Sequence, residues 1–284
     1  LDKFVAFYNL IFESKLEVSC NESNDSYLSK LKEMQFFDCN FNNFEFNHLG
    51  ENIEAINQNT ITKLTKELSS YKTSLPLNEE SSIFVRYDTK DIRKLKALII
   101  GPKNTPYENG IFIFDFFVKN DYPNNPPQFK FLTTGQGRVR FNPNLYVCGK
   151  VCLSLLNTWN GYGGERWNKD TSTILQILIS IQSLIFTENP FFNEPGHEKN
   201  INKDYSERKS KEYNDNIRYQ TIKWAMCDVL ENKIEEFDEV IRTHFCNNKN
   251  KVIETVNKWY SETNLSKNNF NIINNKLLKL INNI

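Results

Sequence analysis

Cys152 and Asn144, eight positions apart, are the residues of this chain whose types and spacing could do covalent chemistry. A lone cysteine is more often a small buried hydrophobe than a nucleophile, so Cys152 has to be judged by its company. Proteases with a cysteine nucleophile need a histidine to take the thiol proton, and His48, His197 and His244 all stand outside any such context. A cysteine phosphatase needs an arginine soon after the nucleophile, but Leu153–Asn157 carries no charge. What is left is a thiol with a carboxamide nearby and no base. That suits exchange with an already activated thioester, because a cysteine with a pKa near 8.5 is a few per cent thiolate at neutral pH. An amine attacking the resulting thioester passes through an oxyanion, which the neutral Asn144 amide could stabilise. Other candidates are weaker. Gly161-Tyr162-Gly163-Gly164 and Gly135-Gln136-Gly137 lack the Gly-Lys-Ser/Thr of a phosphate loop, and Cys148 has no further ligand pair beside it.

Elements able to position these residues can be read on both sides of them. Ile83–Asp88, Leu95–Ile100, Ile111–Val118 and Phe129–Thr133 have strand character and are bounded by turn residues. Their short connections predict a four-stranded antiparallel meander. A helix is expected over about Asn57–Tyr71, with Ile56, Leu64 and Leu68 on one face and Lys63 and Lys66 off it, and another over Thr173–Phe186. Between Thr134 and Thr173 lies an irregular stretch of about forty residues, a length that in a compact domain usually serves function. The first 56 residues show two short helical patterns, Phe4–Leu16 and Tyr27–Phe37, separated by polar Asn21–Ser26. Four apolar stripes follow residue 201: Tyr213, Ile217 and Trp224; Phe237, Ile241 and Phe245; Val252, Val256 and Trp259; and Ile273, Leu277, Leu280 and Ile284. They predict helices that dock on the rest of the chain, since otherwise a large apolar surface would meet water. The expected division is an N-terminal extension (1–56), a catalytic domain (57–200) and a helical C-terminal extension (201–284).

Composition narrows the function classes. The 35 basic and 35 acidic residues cancel and are interspersed, which removes the electrostatic footprint of a nucleic-acid or membrane-surface binder. The six cysteines form no C-x-x-C pair, so free thiols and a cytosolic or nuclear compartment are expected, with no metal site. No apolar run approaches the roughly 20 residues of a membrane helix, and Leu1–Phe12 makes a poor signal peptide.

Taken together, Asn142-Pro143-Asn144 with Cys152 eight residues later resembles the His-Pro-Asn motif and active-site cysteine of the ubiquitin-conjugating enzyme family. Gly101-Pro102, Thr105-Pro106-Tyr107, Tyr122-Pro123, Pro126-Pro127 and Trp159 are similar to that family as well. Phe141–Tyr146, Ser180–Leu184 and Asn193-Glu194-Pro195-Gly196 narrow the likeness to its large, C-terminally extended members, above all the conjugating domains of giant inhibitor-of-apoptosis proteins. The resemblance covers about residues 57–260.

That resemblance implies an α+β ubiquitin-conjugating fold: an N-terminal helix, the meander, an active-site loop and C-terminal helices. It implies a thioester of ubiquitin or a ubiquitin-like protein on Cys152, loaded by an activating enzyme that spends the ATP, so that no cofactor is needed here. Transfer to a lysine of a protein substrate follows, with or without a ligase. Lys63 and Lys66 match the helix on which the activating enzyme docks, and Glu194 is the nearest match to the acidic gate. A non-catalytic module of the same fold lacks the cysteine, so Cys152 and Asn144 argue against it. Asn142 departs from the family's usual histidine, a backbone-organising position at which activity should survive. Asn124 and Asn168-Lys169-Asp170 depart from the apolar patch that RING-type ligases grip in many members.

Overall fold

The computed structural model describes residues 24–46, 57–159, 165–197, 199 and 204–284. Helix α1 (Asn24–Glu33) leads into strand β1 (Phe36–Cys39), helix α2 (Gln58–Ser74) and strands β2 (Ile83–Asp88), β3 (Lys94–Ile100), β4 (Ile111–Phe117) and β5 (Gln128–Phe131). Then come helices α3 (Ile174–Ser180), α4 (Asp204–Gln220), α5 (Asp228–Glu231), α6 (Asp238–Asn247), α7 (Lys249–Glu262) and α8 (Lys267–Asn282). Caps explain two of the starts. The Asn57 side chain accepts from the Asn59 amide ahead of α2, and Thr173 with Gln176 forms a reciprocal capping box ahead of α3.

Strands β2 to β5 pair antiparallel in chain order, giving the expected meander. The sheet has a fifth member, however. β1 runs parallel to β2, with Phe36 opposite Val85 and Cys39 opposite Asp88. The helical pattern read over Tyr27–Phe37 therefore stops at Glu33, and α1 begins inside the stretch read as a polar separator. A parallel neighbour needs a long crossover, and the chain containing α2 supplies it. Gln35 fixes the join: its Nε2 donates to the carbonyls of Leu75, Pro76 and Ile83 at 3.1, 2.9 and 3.2 Å. The pattern Phe4–Leu16 lies outside the described residues.

Alternation along the strands sends two apolar sets to opposite faces of the sheet, and both are buried. Val85, Ala97, Ile99, Phe112, Phe114 and Phe116 face α2, α3 and the active-site loop. Phe84, Leu98, Ile100, Ile111 and Ile113 face Ile222, Met226, Phe237, Ile241 and Phe245 of the C-terminal helices, with Tyr27 and Leu31 of α1. The apolar stripes are thus docked, as expected. On α8 the buried residues are Phe270, Ile273, Leu277 and Ile281, which leaves Leu280 and Ile284 at its margin.

Beside that apolar back face sits a charged corner. Lys96 lies opposite Asp115 in the register and pairs with it at 3.0 Å, with both side chains almost fully buried. Asp115 also accepts from the Glu45 amide at 2.8 Å, while Arg86 donates to the Glu236 carbonyl at 3.0 Å and stacks 3.6 Å over the Phe37 ring. Charges from the sheet therefore tie down segments before and after it in sequence.

Cys39, Cys148, Cys152 and Cys227 are free thiols, but Cys246 is disulfide-bonded, a departure from the expected set of free cysteines. Among the described residues, no helix is long and apolar enough to cross a membrane, and no cluster of three or more His, Cys, Asp or Glu side chains could hold a metal.

His244 on α6 is buried in the seam between α1 and the C-terminal helices, its Nδ1 3.1 Å from the Tyr27 hydroxyl and 3.3 Å from Asn248 Nδ2. Burial lowers its pKa from 6.5 to about 4, and the Asn109 carbonyl nearby offsets only part of this. A depressed folded-state pKa means the unfolded chain takes up the proton first. Stability is therefore present above pH 6.5 and is lost as pH falls towards 4, by about 3 kcal/mol. The melting temperature should fall more steeply between pH 7 and pH 4.5 in the native chain than in His244→Gln. Parallel curves would contradict the assignment.

Candidate active site

The chain around Cys152 is a tight hairpin. Leu145 and Val151 form its bridge and are buried, the Tyr146 amide donates to the Lys150 carbonyl at 3.0 Å, and the Cys152 amide donates to the Asn144 carbonyl at 2.9 Å. Gly149 makes the turn possible: its φ is +86°, and a Cβ there would lie 2.6 Å from the Phe131 carbonyl oxygen. One step out from the bridge, Asn144 and Cys152 stand directly opposite each other. Opposed residues of an antiparallel pair project to one face, with Cβ atoms about 5 Å apart. The eight-residue spacing is thus the length of a hairpin that brings a carboxamide beside a thiol.

Two asparagines flank Pro143, and the structure gives them different work. Asn142 is fully buried and saturated. Its Oδ1 accepts from the Asn144 amide at 2.8 Å and from Asn193 Nδ2 at 3.4 Å, and its Nδ2 donates to the Ile185 carbonyl at 2.7 Å and the Tyr107 hydroxyl at 3.1 Å. Tyr107 passes its own proton to the Phe141 carbonyl at 2.8 Å. Asn142 therefore binds the hairpin to the end of the helical segment Ile181–Ile185 that continues α3, in keeping with a backbone-organising role. The Asn144 side chain makes no hydrogen bond to any described residue, and its Oδ1 is buried without a partner. The loop is held without it.

Cys152 is 3% exposed. Thr158 clasps the chain on both sides of it, donating to the Val151 carbonyl at 2.7 Å and accepting from the Leu153 amide at 2.9 Å. A groove of about 570 Å³ starts at Leu153 and Ser154 and runs along α3 and the segment after it to Ile179 and Leu184, two exposed apolar side chains. Cys148 is exposed in the hairpin turn, on the far side of the Leu145–Val151 bridge from Cys152. A disulfide between the two would require dismantling that bridge.

The remaining candidates are held by other partners. Glu194 is held by Arg140 at 3.3 Å, and Arg140 stacks 4.6 Å from the Tyr146 ring. Lys66 is exposed on α2 and Lys63 is half-buried, 3.9 Å from Glu67. Glu67, read as part of the same basic helix, turns inward instead. It accepts from the Tyr122 hydroxyl and from the Ile174 amide at 3.0 Å, and burial raises its pKa. It thereby pins α2 to the start of α3. The ties made by Tyr107, Thr158 and Asn193 had no sequence signal beyond their place in motifs, since each depends on a distant backbone partner.

A family model described as ubiquitin-conjugating enzyme matches residues 63–221, more than half of the chain. The chain belongs to this family. Family membership covers the meander, the Asn144–Cys152 hairpin, α2 from Lys63 and α3 together. The human dual E2 ubiquitin-conjugating enzyme/E3 ubiquitin-protein ligase BIRC6 (Apollon) is 46% identical over 70% of this chain, which spans 4% of that relative's length. The probable ubiquitin-conjugating enzyme E2 R521 of Acanthamoeba polyphaga mimivirus is 37% identical over 92% of this chain and 19% of its own length. Human ubiquitin-conjugating enzyme E2 Z is 49% identical over 58% of this chain and 43% of its own. The likeness to the conjugating domain of a giant inhibitor-of-apoptosis protein is therefore found, and the chain spans well under two thirds of each of these relatives.

Asn142→Ala should impair every reaction of this hairpin. It removes a buried carboxamide, leaves the Asn144 amide unpaired at a cost of about 1–3 kcal/mol, and takes one of two partners from both the Ile185 carbonyl and the Tyr107 hydroxyl. Thioester loading and discharge should both drop and the melting temperature should fall. Normal loading in this variant would show that the loop is organised elsewhere.

Proposed function

We propose that Cys152 accepts the C-terminus of ubiquitin or a ubiquitin-like protein as a thioester from an activating enzyme and passes it to a substrate lysine. The observation that carries this is the hairpin pairing of Asn144 with Cys152, which puts an unengaged carboxamide beside the only thiol in a family-like setting. In loading, the Cys152 thiolate attacks the activating enzyme's thioester and displaces its cysteine. In discharge, the lysine amine attacks the thioester carbonyl, the Asn144 amide donates to the oxyanion, and the Cys152 thiolate leaves. Residues 57–200 are the catalytic unit of this reading, with β1 extending its sheet and α1 and the C-terminal helices covering the back face. Lys63 and Lys66 serve as contacts for the activating enzyme. Glu194, steadied by Arg140, is the carboxylate assigned to the incoming lysine. The reaction fits a cytosolic or nuclear setting. Incubation with a panel of activating enzymes, ATP and modifiers, read on non-reducing gels, tests the proposal. One pairing should give a reductant-sensitive adduct, and no adduct with any pairing would refute it.

Tyr122, Pro123 and Trp167 come together, the Trp167 indole donating to the Pro123 carbonyl at 2.6 Å, but the side chains around them, Asn124, Asn168, Lys169 and Asp170, are polar and exposed. Interfaces draw much of their energy from a few apolar or aromatic anchors, and this surface offers few. RING domains of general specificity should stimulate discharge onto free lysine less than about twofold. Strong stimulation by several unrelated RING domains would count against this.

A further inference from the structure

Away from Cys152, a polar cleft runs between the catalytic unit and the C-terminal helices. Two adjoining hollows, of about 490 and 510 Å³, share Glu188, Asn214 and Arg218 as common walls. The face of α4 from Glu207 to Arg218 forms one side, about 16 Å of helix at 1.5 Å per residue. An extended chain of about five residues spans that length.

Three observations say what the cleft takes. First, it is acidic, although the chain as a whole carries no net charge. Glu108, Glu188, Glu207, Glu254 and Glu262 line it, against Lys211, Arg218 and Lys258. Asp215, buried beneath, already engages Lys211 at 3.1 Å, and Glu262 engages Arg218 at 3.1 Å. Glu188, Glu207 and Glu254 are exposed and have no ion pair among the described residues, leaving Lys258 as the unpaired cation against them. Second, the floor is short of hydrogen bonds. Of the buried side-chain polar atoms without a hydrogen-bond partner among the described residues, Asn214 Oδ1 and Arg218 Nε belong to side chains that line both hollows. Such a floor favours an occupant that brings its own donors and acceptors, as a peptide backbone does, over an apolar one. Third, the wall is shared with the active site. The segment Glu188–Phe192 borders the cleft, while the next residue, Asn193, reaches Asn142 at 3.4 Å.

We propose that this cleft binds an extended, lysine- or arginine-bearing segment of a protein substrate and so holds its lysines near Cys152. The purpose rests on the thioester reading of Cys152, but the binding itself does not. Charge complementarity at the rim sets which segments enter and how fast they arrive.

Binding is measured on the unloaded full chain by fluorescence anisotropy, with a labelled nonapeptide of alternating lysine and serine and its glutamate–serine counterpart. The lysine peptide should bind saturably and at least tenfold more tightly than the glutamate peptide. The double variant Glu188→Lys, Glu254→Lys should weaken it at least tenfold, and the near-isosteric Glu188→Gln, Glu254→Gln should do so to a smaller degree. Both variants should keep the native melting temperature and load normally on Cys152. Equal binding of the two peptides, no saturable binding, or undiminished binding to the folded charge-reversed variant would overturn the proposal. Failure of loading alone would overturn the thioester reading and leave the cleft standing.

Discussion

Cys152→Ala is expected to abolish the reductant-sensitive adduct completely, whereas Cys148→Ala should leave it at the native level. Only Cys152 lies opposite Asn144 on one face of the hairpin, while Cys148 occupies the exposed turn beyond the bridge. Cys39 and Cys227 are held by burial in their less reactive thiol form, their pKa values raised to about 11 and about 12. Cys152→Ser adds a positive control. Its hydroxyl would form an oxygen ester at the same place, which should persist in reductant and yield to mild base. The substitutions are small, so melting temperatures within a few degrees of native should accompany them, and the effect is read as chemistry rather than unfolding. Loading that survives in Cys152→Ala would remove the residue from the reaction.

Asn144→Ala should have the next largest effect, and on one step only. The Asn144 side chain makes no hydrogen bond within the described protein, so removing it leaves the hairpin's backbone ladder and the Asn142 network in place. Loading should stay within about twofold, since the activating enzyme's site also surrounds that oxyanion. On the proposed mechanism, discharge onto lysine depends on this chain's own donor. Loss of a single oxyanion donor costs on the order of a hundredfold, or about 3 kcal/mol, in other enzymes. Single-turnover discharge should slow by that order, with little change in its dependence on lysine concentration, because an interaction made only in the transition state is lost. Equal losses in loading and discharge would assign Asn144 a scaffolding role like that of Asn142. The pair of variants separates the two asparagines of one tripeptide.

Much of this protein was written in local sequence. Strands β2 to β5 follow from runs of β-branched and aromatic residues between turn residues, and their order follows from short connections. The Asn144–Cys152 relation is local too, because a hairpin closed at Gly149 has its register fixed by its own length. The amphipathic stripes on α6 and α7 showed that the C-terminal helices must dock. What they dock on was settled only by tertiary structure. Both faces of the sheet are apolar, so strand alternation alone does not say which layer covers which face, and that choice is made by pairings more than a hundred residues apart. For the same reason β1 looked helical. Phe36 and Phe37 fit either period, and the deciding partners, Val85 and Arg86, lie some fifty residues away. Glu67 shows the limit most clearly. A glutamate between lysines on an exposed helix is expected to face water, yet it turns inward because Tyr122 and the free amide of Ile174 offer hydrogen bonds that only the folded chain assembles. Sequence fixes what each residue can do over a few neighbours, and the fold decides which distant groups are there to answer it.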